Sequence, residues 1–232
     1  MSTDRLAELR AHYALTPEAT NQLDRLLAHL AVAPWAPTTV TATGAAIDAH
    51  VADSLTGLEV PALRDARRIV DLGSGAGFPA LVLAVALPDC RVTAVESARR
   101  KCDFIAEVAG FVGVSNLDVV CARAEDWRDG LAANDVVCAR AVSSLGVLME
   151  YAAPLLREGG TLVAWKGRIE RDEITAAHAA AEILGFAPPG FEAVQPFPSA
   201  EHRQLVTVVK AAPTPERFPR RTGVALKRPL GV

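Results

Sequence analysis

Arg68-Ile69-Val70-Asp71-Leu72-Gly73-Ser74-Gly75-Ala76-Gly77-Phe78-Pro79 is the stretch whose reading decides the fold. A short apolar strand ends in an acid, a glycine turn follows, and a helix is expected from Pro79 to Leu87. Glycines at Gly73, Gly75 and Gly77 allow positive φ and let the backbone approach a ligand with no Cβ in the way. The helix beyond offers N–H groups without intrahelical partners. Pro79 suits the first turn because its missing N–H has no partner to lose.

Two ligand classes use such a turn. A dinucleotide site has the spacing G-x-G-x-x-G, with a pyrophosphate on the helix N-terminus. Here the spacing is Gly73-x-Gly75-x-Gly77, and Phe78 stands where the third dinucleotide glycine belongs. That departure points to S-adenosylmethionine, which has no phosphate and needs only close backbone approach. The next strand, Arg91 to Glu96, also ends in an acid, and Glu96 is placed to accept both ribose hydroxyls of an adenosine. Hydrogen bonds to a charged group contribute about 1.5–3 kcal/mol each.

Outward from this turn, strands and helices alternate. Strands are expected at 67–72, 91–96, 117–121, 135–139 and 161–165, with helices at 79–87, 98–111, 145–157 and 170–184. Such alternation gives right-handed crossovers and a parallel sheet covered on both faces. Ligands then bind beyond the carboxyl ends of the strands. Asp71, Gly73, Glu96, Arg123, Ala124, Glu125, Arg140 and Lys166 follow the strands and gather on that edge. Near the end, 191–194 and 203–209 flank a proline-containing loop with no long helix, which reads as an antiparallel hairpin closing the sheet.

Residues 1–65 read as helices. Thr16 is an N-cap, Pro17 the first helical residue, and Leu23, Leu26, Leu27 and Leu30 make an apolar face. A third helix from Ala45 to Leu58 turns Ile47, Val51, Leu55 and Leu58 inward. His50 and Asp53 share part of its other surface, and the pair is read as a local hydrogen-bonded one with no catalytic role.

At 232 residues with half of them apolar, the chain suits one large domain or a domain with an extension. The boundaries drawn are a helical extension at 1–65, a Rossmann-like domain at 66–211 and a tail at 212–232. No apolar run approaches the ~20 residues of a membrane helix, and the N-terminus lacks the form of a signal peptide. A cytoplasmic monomer with no membrane contact is expected. Cys90, Cys102, Cys121 and Cys138 lie far apart, with no C-x-x-C and no His at ligand spacing, so they are read as reduced thiols and no metal is assigned. The net charge of −3 divides into +5 from Lys210 onward and −8 before it. A basic tail on an acidic body suits a polyanionic partner; a solvated end is the plainer alternative.

The reacting residues are harder to read. Pyrimidine-C5 methylation would want a nucleophilic Cys in a loop. Exocyclic-amine methylation is often marked by Asn/Asp-Pro-Pro-aromatic after the fourth strand, where this chain has Cys138-Ala139-Arg140-Ala141-Val142. A ring nitrogen with a free lone pair needs no base, and no base is evident.

Taken together, His50-Val51-Ala52-Asp53-Ser54-Leu55, the turn with its Gly77-Phe78-Pro79 extension, Glu96-Ser97 with Lys101 and Phe104, Arg123-Ala124-Glu125, Ala139-Arg140-Ala141, Lys166-Gly167 and Arg203-x-Leu205-Val206 resemble the bacterial 16S ribosomal RNA guanine-N7 methyltransferases, the glucose-inhibited division protein B family. The resemblance covers roughly residues 45–210. It implies a class I S-adenosylmethionine-dependent methyltransferase acting on guanine N7 in the decoding-region loop of 16S ribosomal RNA, within the small ribosomal subunit. It implies cofactor contacts at Gly73, Phe78, Ala124, Glu125 and Arg140, to which the residue reading adds Gly75, Gly77 and Glu96. Arg140 could hold the cofactor carboxylate or orient the incoming guanine. Arg123, Lys166 and Arg203 are candidates for RNA contacts or, equally, for structural ion pairs. The chain departs from the family at Ala80, where a glycine is usual, and at Thr38-Thr39-Val40-Thr41, which replaces an Asn-Leu-Thr. Its tail, with Arg220-Arg221 and Lys227-Arg228, is similar to that of actinobacterial members, where it would help grip the RNA. A small-molecule methyltransferase with residues 1–65 as a lid is the main rival. An NAD-dependent oxidoreductase, disfavoured by Phe78, and a non-catalytic RNA-binding protein are the others.

Overall fold

The computed structural model describes residues 2–232. Helices α1 (Ser2–His12) and α2 (Pro17–Val32) come first. The side chain of Thr16 accepts from the Ala19 N–H at 3.0 Å, and Pro17 opens α2, as the capping pattern requires. Its apolar stripe, Leu23, Leu26, Leu27 and Leu30, is buried. The third helical run begins as α3 (Thr43–Ala46), widens into a π-helical segment (Ile47–Ala52), and recovers as α4 (Asp53–Leu55) before a 3₁₀ turn (Thr56–Glu59) and α5 (Pro61–Arg64). Ile47, Val51, Leu55 and Leu58 point inward.

From there the chain alternates: β1 (Arg68–Leu72), α6 (Ala80–Ala86), β2 (Arg91–Glu96), α7 (Arg99–Val112), β3 (Leu117–Cys121), β4 (Asn134–Arg140), α8 (Leu145–Ala152), β5 (Leu156–Lys166), α9 (Arg171–Leu184), β6 (Gly190–Ala193), β7 (Gln204–Val209) and a last short helix, α10 (Val224–Lys227). The sheet order is β3-β2-β1-β4-β5-β7-β6, with parallel pairs from β3 to β5 and antiparallel pairs from β5 to β6. The fold is Rossmann-like, closed by the expected C-terminal hairpin.

Strand side chains alternate faces, and the core divides accordingly. Ile69, Val92 and Ala94 pack with α6, α7 and the N-terminal helices. Val70, Val95 and Val137 pack with α8, α9 and Phe218 of the tail. The helices before residue 65 therefore share their core with one face of the sheet.

Two boundaries differ from expectation by more than two residues. The helix expected at 145–157 stops at Ala152, because Pro154 cannot continue it, and β5 starts at Leu156 rather than Thr161. Pairing of Leu156 with Asn134 and of Thr161 with Val136 requires a register shift. Gly159 at φ +78 and Gly160, where a Cβ would lie 2.9 Å from the Arg157 and Asp135 carbonyl oxygens, make that shift possible.

At the 3₁₀ turn after α4, Gly57 lies against Trp165 of β5: a Cβ there would come within 2.5 Å of its Cζ2. The Trp165 Nε1–H donates to the Asp53 carbonyl oxygen at 2.7 Å and lies 3.0 Å from Thr56 Oγ1. Gly57→Ala is expected to cost about 1–3 kcal/mol through overpacking, seen as a thermal midpoint lowered by roughly 2–4 °C per kcal/mol. An unchanged midpoint would mean the indole shifts freely.

The tail is docked rather than splayed into solvent. Lys210 is buried, and its Nζ donates to the Leu184 carbonyl oxygen at the end of α9 at 2.8 Å. Burial pulls its pKa below the ordinary lysine value. Arg220 makes a bidentate pair with the buried Glu150, Nε to Oε1 at 2.6 Å and Nη2 to Oε2. Arg217, Arg221, Lys227 and Arg228 stay exposed. The surplus of basic residues at this end is thus smaller on the surface than in the sequence.

Candidate active site

The glycine turn takes the form its sequence asks for. Gly73, Gly75 and Gly77 have φ of +67, +59 and +93. A Cβ on Gly73 would strike Val142 at 2.9 Å and one on Gly77 would strike Leu81 at 2.4 Å, whereas at Gly75 nothing lies closer than the Gly73 carbonyl oxygen at 3.9 Å. Two glycines serve packing, and the third faces open space where a ligand can approach.

Two acids hold the turn. Asp71, fully buried, accepts from the Ala80 N–H at 3.2 Å and so fixes the start of α6. Burial pushes its pKa up to about 7, partly offset by its hydrogen bonds and Arg140. Glu96 accepts from the Gly75 N–H at 3.0 Å through Oε2 and from the Ala98 N–H at 2.9 Å through Oε1. Lys101 Nζ stands 4.0 Å away. The carboxylate is therefore locked in orientation by backbone donors, with lone pairs left for further donors.

Beyond the strand ends lies a cavity of about 150 Å³ lined by Gly73, Glu96, Arg123, Ala124 and Glu125 together with Val142, Tyr151 and Leu226. Four of the eight expected cofactor residues meet here. Tyr151 and Leu226 come from α8 and α10, and no local motif marked them. Glu125 is buried, and its Oε1 accepts the Gly223 N–H at 2.9 Å, while Asp126 Oδ1 accepts from Thr222 at 2.7 Å. The tail thus crosses the rim of this cavity. Burial, reinforced by Glu125 and Glu150, pushes the Tyr151 hydroxyl up to about 12.

Phe78 and Arg140 form a second group. The His50 ring stacks on Phe78 with centroids 4.3 Å apart and planes 7° from parallel. The Arg140 guanidinium carbon sits 5.8 Å from the Phe78 ring centre. Arg140 Nη1 donates to the Ala49 carbonyl oxygen at 2.8 Å and to Asp53 Oδ2 at 2.9 Å. His50 Nε2 lies 2.9 Å from the Val40 carbonyl oxygen, which can only accept, so the proton is on Nε2 and the Nδ1 lone pair faces Arg140 Nη2 at 3.5 Å. Burial first, then Arg140, pulls the His50 pKa down. The local pairing read for His50 and Asp53 is corrected: each is bonded elsewhere, His50 to the 38–40 loop and Asp53 to Arg140. That loop also supplies Thr38 Oγ1 at 3.3 Å from His50.

The three RNA candidates are spread out. Arg123 is exposed at the cavity. Lys166 Nζ donates to Glu173 Oε1 at 2.8 Å and to the Ser143 carbonyl oxygen at 3.0 Å, a largely internal ion pair. Arg203 stands just before β7 with its Nε 3.5 Å from Asp53 Oδ1.

A family model described as rRNA small subunit methyltransferase G matches residues 26–204. The chain belongs to that family. It is 46% identical over 165 residues to the "Ribosomal RNA small subunit methyltransferase G" of Chloroflexus aggregans, spanning 70% of this chain and 69% of the relative. To the protein so named in Deinococcus radiodurans it is 42% identical over 187 residues, spanning 78% and 73%. Among solved structures the fold is similar to the S-adenosylmethionine-dependent methyltransferase SibL in its apo form (TM-score 0.60, 14% identity, 91% of this chain and 74% of that one). It is also similar to an O-methyltransferase from Thermotoga maritima (TM-score 0.55, 16% identity, 71% and 66%). The protein is a methyltransferase, and S-adenosylmethionine is its cofactor. Among the described residues no helix is long and apolar enough to cross a membrane.

Proposed function

We propose that this methyltransferase places its methyl group on N7 of a guanine in the decoding-region loop of 16S ribosomal RNA, acting as a cytoplasmic monomer on the small ribosomal subunit. The reading rests on the juxtaposition of two groups across the glycine turn: a cavity bearing the locked Glu96 carboxylate on one side, and the Phe78–Arg140–His50 face on the other. Bound S-adenosylmethionine supplies a sulfonium leaving group beside the methyl to be transferred. Gly75, with Gly73 in the cavity wall, would admit the cofactor backbone-close while Gly77 closes the turn against Leu81, Glu96 would accept its ribose hydroxyls, and Ala124 and Glu125 would border its adenine. The cavity of about 150 Å³ is smaller than the roughly 300 Å³ at which ligand pockets begin, and Val142 and Leu226 stand exposed in its wall.

The chemistry asked of the protein is alignment, which can supply ~7–11 kcal/mol. Guanine N7 carries its lone pair without losing a proton, and the titratable side chains at this face fit that demand. His50 is held neutral with its proton committed to Val40, and Asp53 is committed to Arg140. Arg140 orients cofactor or base, while Arg123 and Arg203 meet RNA phosphates. Lys166, tied to Glu173, has the weakest claim of the three.

The test is incubation of the protein with labelled cofactor and small subunits lacking the modification, followed by mapping of the label. A single guanine N7 is expected, with RNA affinity falling steeply as salt rises. Cofactor binding with no RNA labelled would overturn the ribosomal assignment in favour of a small-molecule acceptor.

A further inference from the structure

Asp53 is the feature of the site that its sequence position concealed. Its side chain is 1% exposed, at the point where the π-helical segment returns to α-helix. Its backbone carbonyl is pinned by the Trp165 indole N–H at 2.7 Å, so the carboxylate cannot drift with a mobile loop. One oxygen, Oδ2, takes Arg140 Nη1 at 2.9 Å. The other, Oδ1, is buried with no hydrogen-bond partner, yet Arg203 Nε stands 3.5 Å from it. One carboxylate therefore faces two guanidiniums far apart in sequence, one at the end of β4 and one just before β7. The Arg140 side chain is 15% exposed and holds both Asp53 and the Ala49 carbonyl oxygen through Nη1, whereas Arg203 is 39% exposed and only loosely held.

We propose that Asp53 is a positioning residue for methyl transfer: its buried carboxylate fixes the Arg140 guanidinium over Phe78 and keeps Arg203 within reach of the RNA. This rests on the function proposed above. Two guanidiniums meet at the single Asp53 carboxylate beside Phe78, a place suited to a phosphate or carboxylate arriving there. Because Oδ1 is not closed by a hydrogen bond, Arg203 can turn to an RNA phosphate while Arg140 stays in place. An unpaired buried acceptor is costly, so its retention between two arginines suits a role in the bound complex. Asp53 touches neither reacting atom; it acts through the arginines.

The test combines kinetics and spectroscopy on the full chain. In Asp53→Asn the shape is kept and the charge removed. The kcat on small subunits should fall on the order of 10- to 100-fold, since small misplacements carry such costs. The KM for S-adenosylmethionine should change less than kcat, because Glu96, Ala124 and Glu125 line a cavity that Asp53 does not touch. Combined with Arg140→Lys, the losses should not multiply, as expected for groups acting as one unit. In side-chain ¹⁵N spectra of the wild-type protein, the Arg140 Nη groups should show slow rotation about the Cζ–Nη bonds, lost in Asp53→Asn. A folded Asp53→Asn protein with kcat near wild type, or with a loss that multiplies with Arg140→Lys, would overturn the proposal. So would fast rotation of Arg140 in the wild-type protein, a reading that needs no variant to fold. If the wild-type protein labels no RNA, the proposed acceptor falls instead, and the Arg140 spectra still decide the role of Asp53.

Discussion

Gly75→Asp is expected to leave the protein folded and to weaken S-adenosylmethionine binding on the order of 100- to 1,000-fold, since like charges brought together in a binding site cost several kcal/mol. Gly75 is the one glycine of the turn whose missing Cβ meets open space. Its φ of +59 lies in the left-handed region that Asp and Asn enter more readily than other residues. Backbone strain is therefore about 1 kcal/mol, a few degrees in thermal midpoint. The new carboxylate, however, projects into the approach path, next to the Glu96 carboxylate that the Gly75 N–H holds at 3.0 Å. It blocks close backbone approach and repels Glu96 from its anchored position. Gly75→Ala separates the causes, because it carries at least as much strain without the charge and should still bind far better than Gly75→Asp. Titration calorimetry with the cofactor reads both. If Gly75→Asp binds within a few-fold of wild type, the cofactor does not pass over this turn.

What the sequence disclosed, and what it hid, follows from how far each interaction reaches along the chain. The turn, the acid ending β2, the parallel order and the cap at Thr16 depend on neighbours a few residues apart, and all could be read directly. Tertiary pairing could not. Asp53 and Arg140 are 87 residues apart, and so nothing local distinguished Asp53 from an ordinary surface acid beside a histidine. The π-helical segment compounds this, since it shifts the face on which His50 falls from that of a regular helix. The basic tail shows the opposite error. Its charge was counted correctly, yet Arg220 is neutralised by Glu150, 70 residues away, and Lys210 lies inside as a helix cap. Charge read from composition describes a surface only after buried partners are subtracted. Leu226 likewise reaches the cavity because Phe218, Arg220, Thr222 and Gly223 dock the strap that carries it.

Asp71 carries the second large effect. A carboxyl held near a pKa of about 7 in the fold, against an ordinary 3.8, binds a proton in the native state that the unfolded chain has already lost. The native state therefore binds more protons than the unfolded state between about pH 4 and pH 7, and stability falls as pH rises through that window. The contribution is absent below the unfolded value and complete above the folded one, with a size on the order of 4 kcal/mol. Asp71→Asn removes it. An amide can still accept from the Ala80 N–H, but its NH₂ would face the Cys138 thiol, whose Sγ lies 4.0 Å from Oδ1 and accepts only weakly. A constant destabilisation of about 1–3 kcal/mol is thus expected at every pH. The decisive quantity is the slope: denaturant titrations of both proteins from pH 4 to pH 8 should show the variant gaining on the wild type as pH rises. Parallel curves would mean that Asp71 is ionised throughout, held so by Arg140 and the hydrogen bonds of the turn. In that case Arg140 would be shared between Asp53 and Asp71, and an Arg140→Met protein, which lacks the cation, should then acquire the missing slope.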